Sequence, residues 1–599
     1  MYLPQLNEIQ KSRDMLEVFK GYNHNYRIEE GEFFEMKNLT STYYPLLSSR
    51  AKRGLYKANI VPVSMISKDE LGYISNDVFY YGNKQTEKLN LNPMITPESS
   101  QFVSFGEKVI FFGKDSKGNT LDVIWIDTTD MSFDRAGAIN YVTKSQPVIG
   151  IQNCLANGDI LRFTYNNVYY SPGLNMYKIA SSEGLFETID SYVEIRSQDI
   201  GIGLKKGDIL DISLGEGITL KDVFGMEGNI TGIHKVIAAK QNSIIIDAVT
   251  SDDGQIDTSK VPESSDIIFK IEKLMPYMDY VVESNNRLWG CRYGLNRKGE
   301  FVNEIYASKL GDFSNWEVYE GLSTDSYSVT VGSDGAFTGA ISYLGYPLFF
   351  KENCIHKIYG TMPSNYQVQT TECKGVEKGS NRSLAIVDGV LFYKSPQGIC
   401  AYDGSMPTVI SRAFGDVIYK NGIAGALGSK YYVSLENMSH GTPFYVRELL
   451  VFDTKYSVWH KEEDMLPMIF CSHKNNIYYV SEAFTNQIRT VLCEDESCEK
   501  EIRWSAETGV IGLSTPDGRY ISKINLRVSL NVESRLNVFI KYNSSGDWLY
   551  VGKLVGSKLQ TFNMPILPQR CDHFQLKFEG VGDFKLYSIS KTIEQGGEE

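Results

Sequence analysis

The side chains best suited to catalysis or metal binding are scattered along this sequence. Its seven histidines stand singly, and its nine cysteines run from Cys154 to Cys571 without a C-x-x-C pair. We expect His356 and His460, in or beside predicted strands, to be structural residues with satisfied hydrogen bonds rather than ligands. The cysteine pattern predicts reduced, mostly buried thiols, as in a protein made in the cytoplasm. We therefore predict no metal ligands, no cofactor-binding residues and no cofactor.

Motifs of known enzyme classes are also missing. The sequence has no G-x-S-x-G nucleophile elbow, no Walker A phosphate-binding loop and no H-E-x-x-H zinc pair. Residues 251–257 place acidic side chains beside a glycine, but they lack the EF-hand spacing, so we predict a turn there. A glycosidase would need two carboxylates flanking a cleft, and the sequence nominates no such pair among its 73 acidic residues. We predict no catalytic residues and no enzymatic activity.

Charge and hydropathy exclude two further classes of protein. The net charge is −13 at pH 7 and the basic residues are dispersed, whereas a dedicated nucleic-acid binder would carry a basic stripe. No apolar run is long enough to span a bilayer, and the N-terminus lacks the regions of a signal peptide. We therefore predict no membrane insertion and synthesis in the cytoplasm.

The elements that would position any site are short strands in a repeated order. Between about residues 280 and 480, each unit has a turn, a run of apolar and aromatic residues, and a second strand ending at Asp or Gly. The first apolar residues of these runs are Leu288, Leu348, Val390, Tyr431 and Ile477. The last three intervals between these positions match the period of a β-propeller blade, roughly 40–45 residues. A β-sandwich with regular turns is the alternative.

Two earlier runs, beginning at Val78 and Val109, extend the repeat toward the N-terminus. They are closer together than the later runs, which predicts a trimmed blade. The repeat then stops between Val109 and Leu288, and one blade period accounts for roughly a quarter of that stretch, so most of it is predicted to be an insertion. Five candidate strands between about residues 185 and 275 suit a small SH3-like or OB-like barrel. Such a barrel would bind a ligand or serve as a docking or spacer module, and we favour the second because no basic–aromatic face is visible.

The C-terminal part of the sequence changes to a period of two. Residues 523–532, 536–542 and 574–579 alternate apolar and polar side chains, which predicts a β-sandwich with one wet face on each sheet. Residues 1–18 predict a short amphipathic helix. The fold class is therefore all-β, a β-propeller of six to eight blades with an inserted small β-barrel and a C-terminal β-sandwich. The predicted divisions are an N-terminal arm and strands (1–55), first propeller blades (56–140), the insertion (141–276), remaining blades (277–500) and the sandwich (501–599).

The S-x-D-x-G-x-x-W boxes of sialidase-type propellers are absent, and residues 453–459 are only superficially similar to them, so a Trp closing a blade is the simpler interpretation.

Several other blocks of residues are informative as a set. They are FKGYN at residues 19–23, YPLL at 44–47 with Arg50 and Arg53-Gly54, NNRLWG at 285–290, NEIYAS at 303–308, YLGY at 343–346, CIHKIYG at 354–360, Asp453-Thr454 with Trp459-His460, and RCDHF at 570–574. Together these blocks resemble the β-propeller structural proteins of tailed-phage tails, particularly those of phages infecting Firmicutes.

The resemblance implies a virion structural protein without catalytic activity. It is similar in layout to the nozzle, or tail tube B, proteins of short-tailed bacteriophages, which form a hexameric ring below the portal and adaptor, around the DNA-ejection channel. The implied partners are other copies of the chain, other tail proteins such as an adaptor, tail fibre or spike, and passing double-stranded DNA that is not bound specifically. The implied location is the viral tail, after synthesis in the cytoplasm of the host bacterium. The alternative function is a host-surface carbohydrate-binding or carbohydrate-cleaving propeller protein.

The charge balance generates a testable prediction about DNA. A conduit must not hold its cargo, and a net charge of −13 with dispersed lysines and arginines suits a wall that repels duplex DNA. Acidic residues of the last domain, Glu533, Asp547, Glu579 and Asp583, are candidates for that wall. We expect the isolated protein to bind duplex DNA no more tightly than about 10⁻⁴ M at about 50 mM salt, measured by fluorescence anisotropy. Micromolar binding with a steep salt dependence would instead indicate a surface that grips DNA.

Overall fold

The computed structural model describes most of the chain and is almost entirely β-structure. The described residues are 11–116, 118–136, 141–142, 150–155, 168–171, 176–180, 186–196, 198–213, 231–247, 270–297, 299–438, 446–463, 465–493, 495–512, 519–566 and 569–594. They contain no α-helix and four short 3-10 helices, at Pro97–Ser99, Pro363–Asn365, Asn381–Ser383 and Ser411–Phe414. None of the helices in these ranges is long and apolar enough to cross a membrane. Contacts divide the chain into two compact units, residues 1–83, 350–355 and 371–599, and residues 84–349 and 356–370.

The N-terminal strands and the first two blades come before the insertion. The N-terminal strands are β1 (Lys11–Leu16), β2 (Gly21–Tyr22), β3 (Glu32–Lys37), β4 (Leu39–Thr40), β5 (Leu47–Ser49) and β6 (Gly54–Ala58). The first blade is β7 (Pro62–Ser67), β8 (Leu71–Ser75), β9 (Val78–Tyr81) and β10 (Lys84–Lys88). The second is β11 (Ser100–Phe105), β12 (Lys108–Lys114), β13 (Thr120–Asp127) and β14 (Phe133–Arg135).

The insertion forms a single sheet of nine strands among the described residues. Its strands are β15 (Tyr141–Val142), β16 (Gly150–Leu155), β17 (Val168–Ser171), β18 (Met176–Ala180), β19 (Phe186–Arg196), β20 (Ile209–Ser213), β21 (Gly232–Lys240), β22 (Ser243–Ile246) and β23 (Lys270–Leu274). All five strands predicted for a small barrel fall on β19–β23, and the sheet is barrel-like. Sequence reading missed the four strands before them, so the sheet begins well before residue 185.

Five more blades follow the insertion, which makes seven four-stranded antiparallel sheets in the described structure. The strands are β24 (Tyr280–Ser284), β25 (Arg287–Leu295), β26 (Phe301–Ala307) and β27 (Tyr327–Thr330); β28 (Gly339–Tyr343), β29 (Tyr346–Lys351), β30 (Cys354–Tyr359) and β31 (Gln367–Glu372); β32 (Ala385–Val387), β33 (Val390–Ser395), β34 (Gly398–Tyr402) and β35 (Thr408–Val409); β36 (Tyr419–Leu427), β37 (Lys430–Asn437), β38 (Val446–Asp453) and β39 (Val458–Glu462); β40 (Pro467–His473), β41 (Asn476–Ser481) and β42 (Phe484–Thr490). The β-propeller class is confirmed, with a blade number inside the predicted range.

The repeat found in the sequence corresponds to the second strand of six blades. Leu288, for example, lies in β25 and Ile477 lies in β41, and both of these side chains are buried between neighbouring sheets. Val78 is the exception, because it starts the third strand of the first blade. The second strand of that blade begins at Leu71, which restores a spacing to Val109 close to a full blade period. The prediction of a trimmed blade was therefore wrong, since the first blade has all four strands.

The last blade is completed by a strand from the other end of the chain. β40, β41 and β42 come from residues 467–490, and the fourth strand of this sheet is β6, which pairs with β42 in antiparallel register from Gln487↔Ala58 to Thr490↔Gly54. The next element after β6 is β7, which packs beside β40 in the same unit. Apolar residues from the first and last blades share one core, including Leu71, Tyr73, Val480 and Ile488. The early chain thus links the first and last blades.

The terminal sheet has eleven strands and also draws on both ends of the chain. Its C-terminal strands are β43 (Arg503–Thr508), β44 (Arg519–Tyr542), β45 (Leu549–Met564), β46 (Arg570–Cys571), β47 (Phe574–Val581) and β48 (Phe584–Glu594). β44 runs through both layers of the sandwich, because its first half pairs with β48 and its second half with β47. The predicted buried face is confirmed at Ile524, Leu526, Val528, Leu530, Leu536, Val538, Ile540, Tyr542, Phe574, Leu576 and Phe578.

N-terminal strands β1–β5 belong to this sheet, so strand pairing crosses the predicted boundaries at residues 55 and 501. β3 pairs with β43, and β5 pairs with β48. The helix predicted within residues 1–18 is wrong for its described part, since Lys11–Leu16 is a strand that pairs with β48 from Lys11↔Glu594 to Leu16↔Ile589. A pairing partner at the opposite end of the chain decided this conformation, and no local pattern carries that information.

A buried set of charges fixes the N-terminal segment where it passes from the sandwich to the blades. Arg50 binds the carboxylate of Glu499 with both terminal nitrogens and donates from Nε to Asn38 Oδ1 at 2.9 Å. Arg53 Nη2 donates to Glu462 Oε2 at 2.8 Å, and its backbone N–H donates to Glu499 Oε1 at 2.9 Å. Arg50, Arg53 and Glu462 are each at most 5% exposed. We call these five residues the buried charge network.

The buried charge network predicts a large loss of stability when one charge is left alone. We expect Arg53→Leu to destabilise the first unit by roughly 3–5 kcal/mol, because Glu462 would remain buried without its closest partner. The decrease should appear as a lower melting temperature in differential scanning calorimetry. Adding Glu462→Leu should restore part of it, since the double variant removes both partners of that ion pair.

The control for this experiment is Lys474→Leu, which breaks the exposed Lys474–Glu70 pair. Exposed pairs contribute at most about 1 kcal/mol, so this variant should melt close to the unmodified protein. If Arg53→Leu is as mild as Lys474→Leu, the network does not hold the N-terminal segment.

Candidate functional site

A polar cleft of about 990 Å³ lies within the first unit, between the sandwich and the blade made of β36–β39. We call it the charged cleft. Its ionisable lining residues are Glu35, Lys37, Glu448, Lys461, Glu463, Arg503, Glu507, Arg535, Lys553, Lys577 and Glu579. Six of these side chains are basic and five are acidic, so the cleft carries a small positive formal charge in a chain whose net charge is −13.

The floor of the charged cleft is the polar face of five neighbouring strands. One row across the sheet runs Lys37, Ser505, Glu579, Asn537 and Lys553, on strands β3, β43, β47, β44 and β45. Alternate residues of the same strands point into the core of the sandwich, because successive side chains of a strand face opposite sides. The period-two pattern in the sequence thus predicted a wet face here, including residues 577 and 579.

The opposite wall comes from β38 and β39. Glu448 accepts hydrogen bonds from Tyr419 Oη at 2.6 Å and Asn437 Nδ2 at 3.1 Å, and Lys461 Nζ lies 3.3 Å from it. Burial, the largest single influence, raises the pKa of Glu448, but Lys461 and the hydrogen bonds from Tyr419 and Asn437 lower it more. The net shift in pKa is downward, so Glu448 stays ionised at neutral pH.

Two lysines of the charged cleft each bridge a pair of carboxylates. Lys461 Nζ lies 3.4 Å from Glu35 and 3.3 Å from Glu448. Lys577 Nζ lies 3.1 Å from Glu507 and 3.0 Å from Glu579. Retaining and inverting glycosidases need one carboxylic acid that donates a proton beside a second carboxylate. In the charged cleft the two carboxylates of each pair are instead bridged by an ammonium group.

Three basic side chains of the floor have no such partner. Arg503, Arg535 and Lys553 are exposed, and among the described residues no hydrogen-bond or ion-pair partner of their side chains is found. Arg503 and Arg535 flank Val581 on either side, so their Cα atoms are two strand spacings, or about 10 Å, apart. Lys553 is opposite Asn537 and therefore diagonal to Arg535 on the next strand. Sequence analysis did not single out these three residues, because nothing local distinguishes them from other exposed basic residues.

The two histidines considered in the sequence are both buried but differ in bonding. His356 lies between the hydroxyls of Ser333, at 2.8 Å, and Thr370, at 2.9 Å, so the prediction of a satisfied structural histidine is confirmed. Both ring nitrogens of His460 lack a hydrogen-bond partner among the described residues. The expectation of satisfied hydrogen bonds was therefore wrong for His460. Burial, with a smaller contribution from nearby Lys430, lowers the pKa of His460 to about 3, so the ring is neutral.

The remaining sequence motifs have structural positions where they are described. A tight hairpin joins β38 and β39 between the paired residues Asp453 and Val458, and Trp459 is opposite Phe452. Trp459 is buried against Phe414 and Phe452, and its Nε1 donates to the carbonyl of Ile410 at 3.0 Å, so it closes the blade as predicted. Residues 251–257 lie outside the described residues.

One cysteine pair differs from the expectation of reduced thiols. Cys493 and Cys498 form a disulfide, with Cα atoms 5.6 Å apart, in the loop after β42. Asp495 lies close to both sulfurs, and aspartate and cysteine are residue types that can bind a metal ion. The two sulfurs are, however, bonded to each other. Spacing along the sequence could not decide between a thiol pair and a disulfide. The described free cysteines, Cys291, Cys354, Cys373, Cys400, Cys471 and Cys571, are buried or half-buried.

The four acidic residues proposed for a DNA-facing wall have different environments. Glu533, Asp547 and Asp583 are exposed, and Asp583 accepts a hydrogen bond from Asn531 Nδ2 at 2.5 Å. Glu579 is half-buried in the charged cleft and pairs with Lys577. Glu579 therefore differs from the other three acidic residues, because its carboxylate is paired with a lysine.

No family model matches this chain, and no curated protein matches it. Similar solved structures include a glycoside hydrolase family 43 arabinoxylan arabinofuranohydrolase from Bacillus subtilis, at 11% identity and a TM-score of 0.16, covering 52% of this chain and 94% of that one. The endosialidase of phage phi92 is similar at 10% identity and a TM-score of 0.25, covering 81% and 76%. An exo-β-1,3-galactanase from Phanerochaete chrysosporium has 10% identity and a TM-score of 0.17, covering 82% and 95%. At these values no residue, substrate or activity carries over to this chain.

The arrangement of the charged cleft predicts binding without turnover. We expect the purified protein to release no reducing sugar from bacterial cell-wall polysaccharide, because Lys461 and Lys577 each lie between two carboxylates. A reducing-end assay checks this directly. Turnover that is abolished by Glu448→Gln or Glu507→Gln, in a variant that still folds, would contradict the prediction and assign the chain to the enzymes.

Proposed function

We propose that this chain is a non-enzymatic structural protein of the virion. In this proposal it forms a ring in the tail of a short-tailed phage, as a nozzle or tail tube protein, around the DNA-ejection channel. The ring would be a homo-oligomer, by resemblance a hexamer, that contacts an adaptor and a tail fibre or spike. Double-stranded DNA would pass through it without specific binding.

The residues that carry the resemblance to tail proteins support this proposal by their structural positions. Arg50 and Arg53 belong to the buried charge network, and Tyr44 stacks on Tyr456 with ring centroids 4.2 Å apart. Arg287 is buried and donates to the backbone carbonyls of Ser308 and Ser323 at 2.8 Å. These side chains stabilise the fold, and none of them lines the charged cleft. These contacts assign the residues that carry the resemblance to the architecture of the fold.

The observation that carries the proposal is the long edge strand β45. It covers 16 residues and pairs with β44 on one side, while no described strand pairs with its outer edge. Apolar side chains on it, Leu549, Tyr550, Val555 and Leu559, are between 44% and 65% exposed. A long exposed edge with apolar residues is an aggregation hazard in a free monomer, and natural proteins cover such edges. Assembly with a neighbouring subunit would provide that cover.

A second candidate function is a host-surface protein that binds or cleaves carbohydrate. The specific observation in its favour is the charged cleft, an open groove lined by polar groups that suit sugar hydroxyls. The similar solved structures belong to carbohydrate-cleaving enzymes, and at their TM-scores they do not decide between the two candidates. The lysine-bridged carboxylates favour binding over cleavage within this candidate.

The ring proposal predicts the size of the particle and its dependence on β45. We expect mass photometry of the purified chain to show a discrete oligomer and electron microscopy to show a ring. Val555→Lys combined with Leu559→Lys should shift the distribution to monomers, because buried lysines would oppose edge pairing. Both positions are exposed, so the variant should keep its fold.

The matched control is Ile386→Lys combined with Ile418→Lys, which changes two residues of similar exposure, 41% and 62%, on the blades of the first unit. This variant should assemble like the unmodified chain. A monomer under all assembly conditions would contradict the ring. An oligomer that survives the β45 substitutions but not the control substitutions would place the interface elsewhere.

A further inference from the structure

We propose that the charged cleft binds an acidic saccharide chain through carboxylate or phosphate groups of the sugar polymer. This inference deepens the second candidate function by naming its ligand class, and it does not require the ring. A tail protein that forms a ring could carry the same binding surface.

The acidic side chains of the cleft have partners, whereas three of its basic side chains do not. Every acidic side chain of the lining has a lysine within 3.4 Å: Glu463 pairs with Lys37 at 2.6 Å, and the other four share Lys461 and Lys577. The side chains without a partner are all basic, namely Arg503, Arg535 and Lys553. Lys461 and Lys577 are each shared by two glutamates, so each of these trios keeps one negative formal charge, and the cleft as a whole keeps one net positive charge. Three exposed cations without a partner favour an anionic ligand.

The three basic side chains without a partner are spread over one face of the sheet. They lie on three strands of one sheet face, with the Cα atoms of Arg503 and Arg535 about 10 Å apart and Lys553 diagonal to Arg535. Guanidinium groups present paired N–H donors that match a carboxylate or a phosphate. Three such sites on an extended surface suit a polymer with repeated anionic groups better than a single small anion.

The lining of the charged cleft suits a saccharide better than it suits nucleic acid or a peptide. Duplex DNA would bring about one negative charge per 1.7 Å of axis against five glutamates, and the one aromatic lining residue, Trp504, is buried and stacks on Phe584 instead of offering a face to bases. A peptide that added a strand to the floor could do so at the outer edge of β45, but not over Arg503 and Arg535, because β43, β47 and β44 are already paired with one another. Sugar hydroxyls can donate to the glutamates and accept from the lysines, which uses both charge types of the cleft.

The test is a binding titration with defined polymers. The probes are polygalacturonate, which carries carboxylates, phosphorylated dextran, which carries phosphates, and neutral dextran. Duplex DNA and poly-L-glutamate are included as the two other classes of polyanion. Each is titrated against the unmodified chain and two variants by isothermal titration calorimetry, at low and moderate ionic strength.

The first variant is Arg503→Gln, Arg535→Gln and Lys553→Gln together. The matched control is Arg527→Gln, Arg570→Gln and Lys523→Gln together, which removes the same charges from exposed positions of the same sandwich outside the cleft lining. Equal melting temperatures of the two variants establish that both are folded.

We expect at least one of the two acidic polymers to bind, and the cleft variant to weaken that binding by about tenfold, as for the loss of three exposed ionic contacts. The control should stay within about twofold, and binding should weaken as salt rises. The polymer that binds identifies the anionic group. Equal binding of dextran would retain a carbohydrate site but overturn its acidic specificity. No binding of either acidic polymer, equal binding by the cleft variant, or tighter binding of DNA or polyglutamate through the same three residues would each overturn the inference.

Discussion

Opposite charges removed from water hold the N-terminal segment in place, and most of the first unit depends on that segment. Arg50 and Arg53 are buried where they meet Glu499 and Glu462, so each guanidinium must keep its carboxylate to offset the cost of leaving water. Asn38 connects this network to both neighbours, since its side chain donates to the carbonyl of Arg503 and accepts from the N–H of Glu463. Arg503 and Glu463 stand on opposite sides of the charged cleft. The interactions that hold the N-terminal strands in place therefore also fix the floor of the charged cleft and its opposite wall relative to each other.

Much of the fold could be predicted from the sequence, because the relevant signals are local. Apolar runs such as those at Leu288 and Tyr431 mark buried second strands, and the alternation around Leu526 and Phe578 marks a half-buried sheet. Predictions failed where distant pairing decides the outcome. Residues 11–16 form an edge strand only because β48 provides a partner, and β6 joins a blade whose other strands come from the far end of the chain. Val78 was assigned to the wrong strand of its blade, since β8 and β9 are both short runs of mainly apolar and aromatic residues.

The candidate site was less predictable than the fold. The wet face of the sandwich followed from its period of two, which correctly placed Lys577 and Glu579 on the polar side. The cleft itself required the wall of β38 and β39, and no sequence pattern indicates that Glu448 and Lys461 face that sheet. Whether a charge is paired is also invisible in a sequence. Lys577 and Lys553 lie on the same face of the sheet, but only Lys577 has two glutamates within 3.1 Å of its ammonium group.

The completion of the last blade by β6 has a consequence for the order of folding. During synthesis β6 emerges early, while its partner β42 follows only after the insertion and six blades have been made. At about 5–20 residues per second, the early strands wait roughly 20–90 s for their partners. β1, β3 and β5 wait still longer, for β43 and β48. Contacts so distant along the chain are typical of slowly folding proteins. Nascent chains of this protein thus expose unpaired strand edges for most of translation, and protection of the N-terminal strands by a chaperone would act on the step that completes both sheets.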